Sequence, residues 1–352
     1  MASIFSSVKV RGGNAPDATS FRLSNWLIYV TPRGGNIVAP ERLTGPTPIR
    51  QGIHLATSAL ANRNARFGSH CFTDDFQRGL ARWNRARLVP AFPDEDWPAT
   101  RALDERMRRQ EGAFLDALRA EVAAEAAGAP TDADGFLDWF EQLRESGPGQ
   151  GDPLFPWLAE TADREQMRWF LGQEAAGEAG FEDLLAMTQV RMPARAKLEF
   201  ARNYWDEMGR GNPKGMHGPM LGLLIETLGL DASIDGTVGE SLALANAMTA
   251  MATTRRYAWH SVGALGVIEL TAPGRSAATA AGLRRLGFTP AERRYFDLHA
   301  VLDVKHSEAW NREALRPLVE EDPRRATAIA EGALIRLACG ARCFERYRAE
   351  LW

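Results

Sequence analysis

The chain of 352 residues lacks the features that mark several large classes of protein. Its three cysteines, Cys71, Cys339 and Cys343, are too few for a disulfide framework in a chain of this length. Lys and Arg total 42 against 45 Asp and Glu, so there is no excess of positive charge for binding nucleic acid. No run of about 18 apolar residues occurs, so the sequence predicts no membrane span.

The N-terminal segment from Met1 to Asn14 lacks the apolar stretch of a secretory signal, and we expect a cytoplasmic protein. Hydrophobic residues make up 45% of the chain, which excludes disorder as its main state and allows a sizeable core. Alternating strand patterns are missing after residue 50, and no internal repeat indicates a solenoid. The predicted fold class is therefore all-α.

Gly and Pro residues divide the chain into predicted segments. Residues 1–50 are predicted to be irregular, with a short extended piece from Trp26 to Val30. The run from Ser146 to Gly151 is the candidate boundary between an N-terminal region and a C-terminal one. Helices are predicted within 52–87, 97–127 and 134–143, and over 161–190, 194–208, 215–229, 236–272, 275–287, 291–316 and 322–350.

The chain has six histidines, and two of them flank an aspartate in His299-x3-Asp303-x2-His306. On an α-helix these residues lie at positions i, i+4 and i+7, so they share one narrow stripe. Two imidazoles and a carboxylate on one stripe suit iron or manganese. The flanking residues are apolar nearly all round the helix, which predicts a buried helix whose His and Asp side chains need partners.

A second polar group surrounds a break between two predicted helices. Glu207 ends one helix before Gly209, Gly211 and Pro213, and His217 opens the next helix. A carboxylate before a break and an imidazole after it can converge on one point. Taken alone the pattern is weak, because Glu and His are ordinary residues at helix ends.

Two further carboxylate positions are candidates. Glu174 lies on the predicted helix 161–190, and Glu178 and Glu182 follow at i+4 and i+8 on a similar face. Glu269 is the one charge in an apolar segment, where an unpaired carboxylate is costly. The alternative for Glu269 is a salt bridge to one of three arginines, Arg255, Arg256 and Arg275.

These motifs follow one another in a definite order, from Asn203-Tyr204-Trp205-Asp206-Glu207 and His217, through Glu269, to Tyr295-Phe296-x2-His299-x3-Asp303-x2-His306. In this order and spacing, residues 151–352 resemble the haem-oxygenase-like diiron oxidases, the iron-containing redox enzyme family. The resemblance implies a haem-oxygenase-like bundle of about seven core helices in 151–352. Residues 1–150 are then an irregular and helical accessory region packed on that domain.

The resemblance also implies a non-haem site that holds two Fe(II) ions and uses O2 as co-substrate. The implied metal ligands are Glu174, Glu207, His217, Glu269, His299, Asp303 and His306. Glu178 and Glu182 remain open as alternatives to Glu174, and Glu207, His217 and Asp303 are expected to act in catalysis. Four carboxylates would balance the charge of two Fe(II) ions, so the buried cluster would be close to neutral.

The activity implied by the resemblance is oxidation of a small amino-acid-like substrate, or of a similar amine or acid, in natural-product biosynthesis. Relatives carry out N-oxygenation, C–C cleavage, desaturation or nitrile formation. An external electron donor and a homodimer are the partners considered besides the substrate. One alternative is a helical binding or scaffold protein. The other is a haem- or thiamine-processing enzyme of the same fold, and a thiamine-processing enzyme needs a nucleophilic cysteine.

The substrate pocket is predicted less sharply than the metal site. Lys214 stands three residues before His217, where some relatives carry a Glu ligand, so we expect no eighth ligand from this position. Lys214 either neutralises a substrate carboxylate or lies exposed on a loop. Other candidate anchors for a carboxylate are Arg202, Arg210, Arg284 and Arg285. The apolar residues expected to line the pocket include Trp169, Phe170, Trp205 and Met216.

Overall fold

The computed structural model of the protein describes residues 70–92, 96–178 and 180–352, apart from the side chains of residues 176–178. Every regular element in these ranges is helical, which confirms the all-α prediction. The predictions for residues 1–50, and for the part of the helix 52–87 before residue 70, lie outside the described residues. None of the described helices combines the length and the apolar character that crossing a bilayer requires.

Before residue 190 the helices are α1 (Asp74–Leu88), α2 (Trp97–Ala126), α3 (Ala133–Ser146), α4 (Leu154–Glu160), α5 (Arg164–Glu178) and α6 (Phe181–Thr188). The later helices are α7 (Ala194–Glu207), α8 (His217–Leu228), α9 (Gly239–Thr253), α10 (Ala258–Arg285), α11 (Arg294–Trp310), α12 (Arg316–Glu321) and α13 (Arg324–Leu351). Short 3-10 turns join some of these helices, and the π-helical stretch Asn311–Leu315 links α11 to α12 without a break.

Several predicted boundaries are wrong for identifiable reasons. The predicted helix 161–190 is broken at Gly180, whose φ of 86° is left-handed and ends helical geometry. The predicted helix 236–272 is interrupted between Thr253 and Ala258 by a 3-10 turn. By contrast, Pro273 does not end a helix but lies inside α10. A proline there removes the hydrogen bond to the carbonyl of Glu269 and crowds that carbonyl, and the packing of α10 against its neighbours offsets this cost.

The two 28-residue helices α10 and α13 cross in the centre of the bundle. Their backbones meet at Gly263 and Gly332, where an added Cβ atom would lie 1.8 Å from the carbonyl oxygen of Ile329 and 1.9 Å from that of His260, respectively. Only glycine fits at either contact. This close crossing holds the α10 segment that carries Glu269 at a fixed distance from α13.

Helices from both sides of residue 150 contribute to one continuous apolar core. Helix α1 packs on α9, and α2 packs on α13. A buried polar link supports the second contact, because Arg119 donates to Glu331 at 2.7 Å and Glu331 also bonds His260. The predicted division of the chain at residue 150 stays a prediction.

We predict that Gly332→Ala lowers the free energy of unfolding by about 1–3 kcal/mol or more, because the new methyl group overlaps the α10 backbone. Urea unfolding followed by circular dichroism measures the change. Gly112→Ala, in helix α2, is the matched control, since nothing lies within 4 Å of a Cβ placed there. Equal stability of Gly332→Ala and the native protein would contradict the close crossing.

Candidate metal centre

The first group of candidate ligands lies where α7 ends, α8 begins and α11 passes. His217 Nδ1 is 2.8 Å from Glu207 Oε2 and 3.1 Å from His299 Nε2. Glu207 and His217 are buried, and His299 is half-buried. We call these three residues the first triad. The predicted convergence of Glu207 and His217 across the helix break is what the structure shows.

The segment between Glu207 and His217 brings these two residues together. Met208 and Met216 form an isolated antiparallel bridge that closes the loop at its base. Gly209 has a φ of 60°, and a Cβ there would lie 2.3 Å from the carbonyl carbon of Gly215. The glycines of this stretch therefore permit the two arms of the loop to touch, which fixes the spacing between the carboxylate and the imidazole.

The second group of ligands joins α10 to the last turns of α11. His306 Nδ1 lies 3.4 Å from Glu269 Oε2 and 4.0 Å from Asp303 Oδ1. All three side chains are buried, and we call them the second triad. The His299-Asp303-His306 stripe thus divides between two groups rather than forming one site. Helix α11 is also not buried all round as predicted, because Val301 is 66% exposed on the opposite face.

Three neighbours orient these ligands, and the sequence motifs do not assign a role to them. Asp206 accepts a hydrogen bond from His306 Nε2 at 3.2 Å, and Asn203 donates to Glu269 Oε1 at 2.6 Å. The Tyr295 carbonyl accepts a hydrogen bond from His299 Nδ1 at 2.7 Å, so Nε2 carries the lone pair that faces the first triad. Asn203 and Asp206 are three residues apart on α7 and so lie on one face of that helix, which is the feature of the sequence that could have indicated their shared role.

Charge links the two triads. Burial acts to lower the pKa of His306, but Glu269 and Asp206, with the charge of Glu207, outweigh it and raise that pKa to about 9. Glu207 belongs to the first triad, and residues of both triads line the same cavity, so the two triads are neighbours. Asp206 has a lowered pKa, because hydrogen bonds from Arg210 and His306 exceed the effect of its burial.

Glu174, a predicted metal ligand, belongs to neither triad. Glu174 lies against Tyr347 and influences the pKa of the Cys343 thiol. Glu182 lines the cavity beside Glu207 and His217 of the first triad. Burial and the negative charges of Asp183 and Glu207 raise its pKa. Its Oε1 would lie 2.6 Å from a Cβ at position 218, so the glycine there admits the carboxylate.

The role predicted for Glu174 or an alternative stays a prediction, and the side chain of Glu178 lies outside the described part of the structure. The structure does not show the alternative considered for Glu269, a salt bridge to one of three arginines. Glu269 contacts Asn203 and His306, whereas Arg255 donates to backbone carbonyls and Arg275 donates to Thr271.

Residues of both triads line one cavity, whose mouth is open to solvent. Its described lining contains five acidic residues, Glu174, Glu182, Glu207, Glu269 and Asp303. The apolar part of the lining is Phe155, Phe181, Leu244, Ile268, Phe296 and Phe344, not the residues that the sequence suggests. Trp205 is 53% exposed, because it lies two positions before Glu207 and so points away from the bundle.

The basic residues expected to anchor a substrate lie elsewhere. Arg202 pairs with Glu199, Arg210 with Asp206 and Arg284 with Asp297, while Arg285 donates to carbonyls at the end of α4. Lys214 is exposed in the loop between Glu207 and His217. Among the described residues, the cations that line the cavity are instead Arg275 and Arg336. Arg336 is the one charge in an otherwise apolar run of α13, a pattern that does not by itself assign the residue to a cavity.

The two triads fit metal ions by their donor chemistry. Each offers imidazole nitrogen and carboxylate oxygen atoms that all lie within 4.8 Å of one another. His306 Nδ1 is buried without a hydrogen-bond partner and faces two carboxylates, as a metal ligand would. Nitrogen and oxygen donors of this kind suit divalent iron or manganese.

Comparison with known families agrees with this chemistry. The sequence model of a family described as iron-containing redox enzymes matches residues 168–341. The match runs from α5 to α13 and contains both triads. This part of the chain is similar to the iron-containing redox enzyme family, and the all-helical bundle fits a haem-oxygenase-like fold. No curated protein matches the chain.

We predict that Asp206→Asn weakens metal binding at the second triad by about 10–100-fold, because the carboxylate that orients His306 is lost. Competition with a chromophoric chelator for Fe(II), under anaerobic conditions, measures the affinity. Asp297→Asn is the control, since Asp297 lies on the same helix as His306 but pairs with surface arginines. An affinity of Asp206→Asn equal to that of the control would remove Asp206 from this role.

Metal binding should also depend on pH. With a pKa of about 9, His306 carries a proton at neutral pH when no metal is bound, and a metal must displace it. Affinity at the second triad should therefore rise as pH increases towards 9, by up to about tenfold per unit. Calorimetric titration with Mn(II) in buffers of different ionisation enthalpy measures the released proton. Binding without proton release between about pH 6.5 and 8.5 would contradict the expected protonation.

Proposed function

We propose that the protein is a non-haem diiron oxidase that uses O2 to oxidise a small organic substrate. The observation that carries this proposal is the presence of two neighbouring His and carboxylate triads that open into one cavity. The family match supports the coarser statement, an iron-dependent redox enzyme. When bound, two ferrous ions would supply the activation of O2, and the protein would supply their positions and the substrate site.

Each triad would hold one ion through residues that the fold already presents. Glu207, His217 and His299 would bind the first ion, and Glu269, Asp303 and His306 the second. Glu182 lines the same part of the chain's cavity as Glu207 and His217, and it is our candidate for the seventh ligand of the centre, on the first ion. Four carboxylates, those of Glu182, Glu207, Glu269 and Asp303, would then neutralise two divalent ions, which makes their shared burial tolerable.

The chain's own residues control the surroundings of the reaction. Asp206 keeps His306 in position, and Asn203 keeps Glu269 in position. We propose a small amino-acid-like substrate, or a similar amine or acid, and an external electron donor. The reaction classes to be considered are N-oxygenation, C–C cleavage, desaturation and nitrile formation.

A thiol mechanism, of the kind that thiamine hydrolysis requires, is not supported. Cys343 lines the cavity, but burial raises its pKa far above the usual range. Burial also raises the pKa of Cys339 to about 11. A thiol is a poor nucleophile without the thiolate form, so neither residue is suited to attack a substrate.

The decisive experiment loads the protein with Fe(II) without oxygen and measures bound iron per chain. We expect two Fe(II) ions in the native protein and a change in near-ultraviolet and visible absorbance after O2 is added. His299→Ala, Asp303→Ala and His306→Ala should each lose iron and the absorbance change yet keep native circular dichroism. Full iron content and O2 reactivity in all three variants would overturn the proposal.

The seventh ligand is tested separately by Glu182→Gln and Glu174→Gln. If Glu182 binds the first ion, Glu182→Gln should lower iron affinity while Glu174→Gln leaves it unchanged. The reverse result would assign the ligand to Glu174, as the sequence resemblance implies. Chelator competition on both variants and the native protein distinguishes these outcomes.

A further inference from the structure

The solvent side of α7 carries an apolar stripe that the metal centre does not explain. Leu198 and Trp205 are seven residues apart and so share one face of the helix, and they are 68% and 53% exposed. Ala201 lies between them on the same face and is also exposed. Large apolar side chains that are grouped in solvent mark a candidate contact surface for a partner.

Positive charge surrounds this stripe, because three arginine pairs turn their cations outwards. Each arginine pairs with a carboxylate that lies deeper than itself: Arg195 with Glu313, Arg202 with Glu199 and Arg210 with Asp206. The three arginine side chains are 54–71% exposed, whereas the three carboxylate side chains are 2–26% exposed. Solvent therefore meets the positive member of each pair.

Lysine is rare in the chain, and it is concentrated in this region. The sequence contains four lysines, and two of them, Lys197 on α7 and Lys214 in the loop after it, are exposed here. Between residues 194 and 216, all of which the structure describes, no acidic residue is exposed. We give the name basic face to Arg195, Lys197, Leu198, Arg202, Trp205, Arg210 and Lys214.

The basic face lies directly outside the metal centre. Asp206 accepts hydrogen bonds from Arg210 on the solvent side and from His306 on the inner side. Trp205 packs on the loop that follows α7, because a Cβ at Gly211 would lie 3.0 Å from its ring. A molecule that touches this face is therefore separated from the metal ligands by about one helix diameter, about 10 Å.

The charge pattern determines which kind of partner fits. A second copy of the chain does not fit, because a two-fold interface would place the arginines and lysines of both copies opposite each other. A protein with an acidic rim around apolar residues fits both the charge and the stripe. Because the face lies outside a centre with the donor chemistry of iron, the fitting class is a protein that carries electrons.

We propose that the basic face binds an acidic electron-transfer protein. The bound donor would pass one electron to each Fe(III) ion, which becomes Fe(II), and its own redox centre would lose the same number of electrons. The basic residues would orient the donor, and Leu198 and Trp205 would fill the centre of the contact. Electron transfer rests on the proposed function, whereas the binding of the acidic protein does not.

Binding is tested by calorimetry on the full chain, both metal-free and loaded with Fe(II). The probes are a two-iron ferredoxin and a flavodoxin, both acidic electron carriers, and the control is cytochrome c, a basic one. We expect at least one acidic carrier to bind, with an affinity that falls at least about tenfold between about 50 and 300 mM salt. No binding by either acidic carrier, or equal binding of cytochrome c, would overturn the proposal.

The small number of lysines allows the contact to be located. A carbodiimide joins a lysine amine to a neighbouring carboxylate as an amide, with loss of water, and mass spectrometry of the digested complex identifies the joined residues. We expect Lys197 or Lys214 to be joined to acidic residues of the bound carrier. Cross-links that involve neither lysine would overturn the assignment of the surface.

Matched variants separate this face from general surface effects. Lys197→Glu and Leu198→Ser should each weaken binding of the acidic carrier at least about fivefold. Arg101→Glu and Leu103→Ser, at exposed positions of α2, make the same changes elsewhere and should not alter it. All four positions are exposed, so the variants should keep native circular dichroism. Equal affinities of the two pairs would overturn the proposal.

The role in electron transfer has its own measurement. In protein loaded with Fe(III), the reduced carrier should reduce the bound iron more slowly in Lys197→Glu than in the native protein when the carrier is below saturation. A small chemical reductant should reduce both at the same rate. Equal rates with the carrier would overturn the role in electron transfer.

The same preparations distinguish this proposal from the others. Binding of the acidic carrier by a protein that takes up no iron would refute the oxidase proposal and leave the binding surface standing. Two bound Fe(II) ions without carrier binding would refute the surface alone. A native dimer that Leu198→Ser converts to a monomer would assign the face to a second copy and overturn the proposal. Tighter binding of a single-stranded DNA oligonucleotide, lost in Lys197→Glu, would also overturn it.

Discussion

The interaction on which the structure depends is the mutual repulsion of carboxylates buried in one small region. Glu207, Glu269 and Asp303 are each almost fully enclosed, and Glu182 lies beside the first of them. Buried charges of one sign are costly unless cations or hydrogen bonds compensate them. The protonated His306 offers part of that compensation in the absence of metal, and two divalent ions would offer all of it. The loop closed by Met208 and Met216, and the hydrogen bond from Asn203, keep these carboxylates together despite their repulsion.

The cavity beside this acidic region also carries positive charge. Helix α10 contributes Glu269 and Arg275 to the lining, and helix α13 contributes Arg336 and Tyr347. The glycine contact between α10 and α13 sets the width between the two helices. The close crossing of the two long helices therefore supports both the stability of the bundle and the spacing of these charged side chains.

The sequence predicts much of the centre, because the spacing of His299, Asp303 and His306 follows directly from helical periodicity. It cannot show that His299 joins Glu207 and His217 while the other two face Glu269, since that division depends on how α7, α8, α10 and α11 cross. Residue type alone assigns Trp205 to the pocket, but the rotation of α7 places it in solvent. Arg336 is not recognisable as a cavity residue from the sequence, because one charge in an apolar run resembles an ordinary helix position until the packing of α13 is known.

The central claim is that the two triads are two metal sites and that each holds one iron ion. Anomalous X-ray scattering at the iron absorption edge, from crystals loaded with Fe(II), tests it most directly. The account predicts two peaks per chain, one among Glu207, His217 and His299, and one among Glu269, Asp303 and His306. A single peak, or iron bound away from these residues, would contradict it.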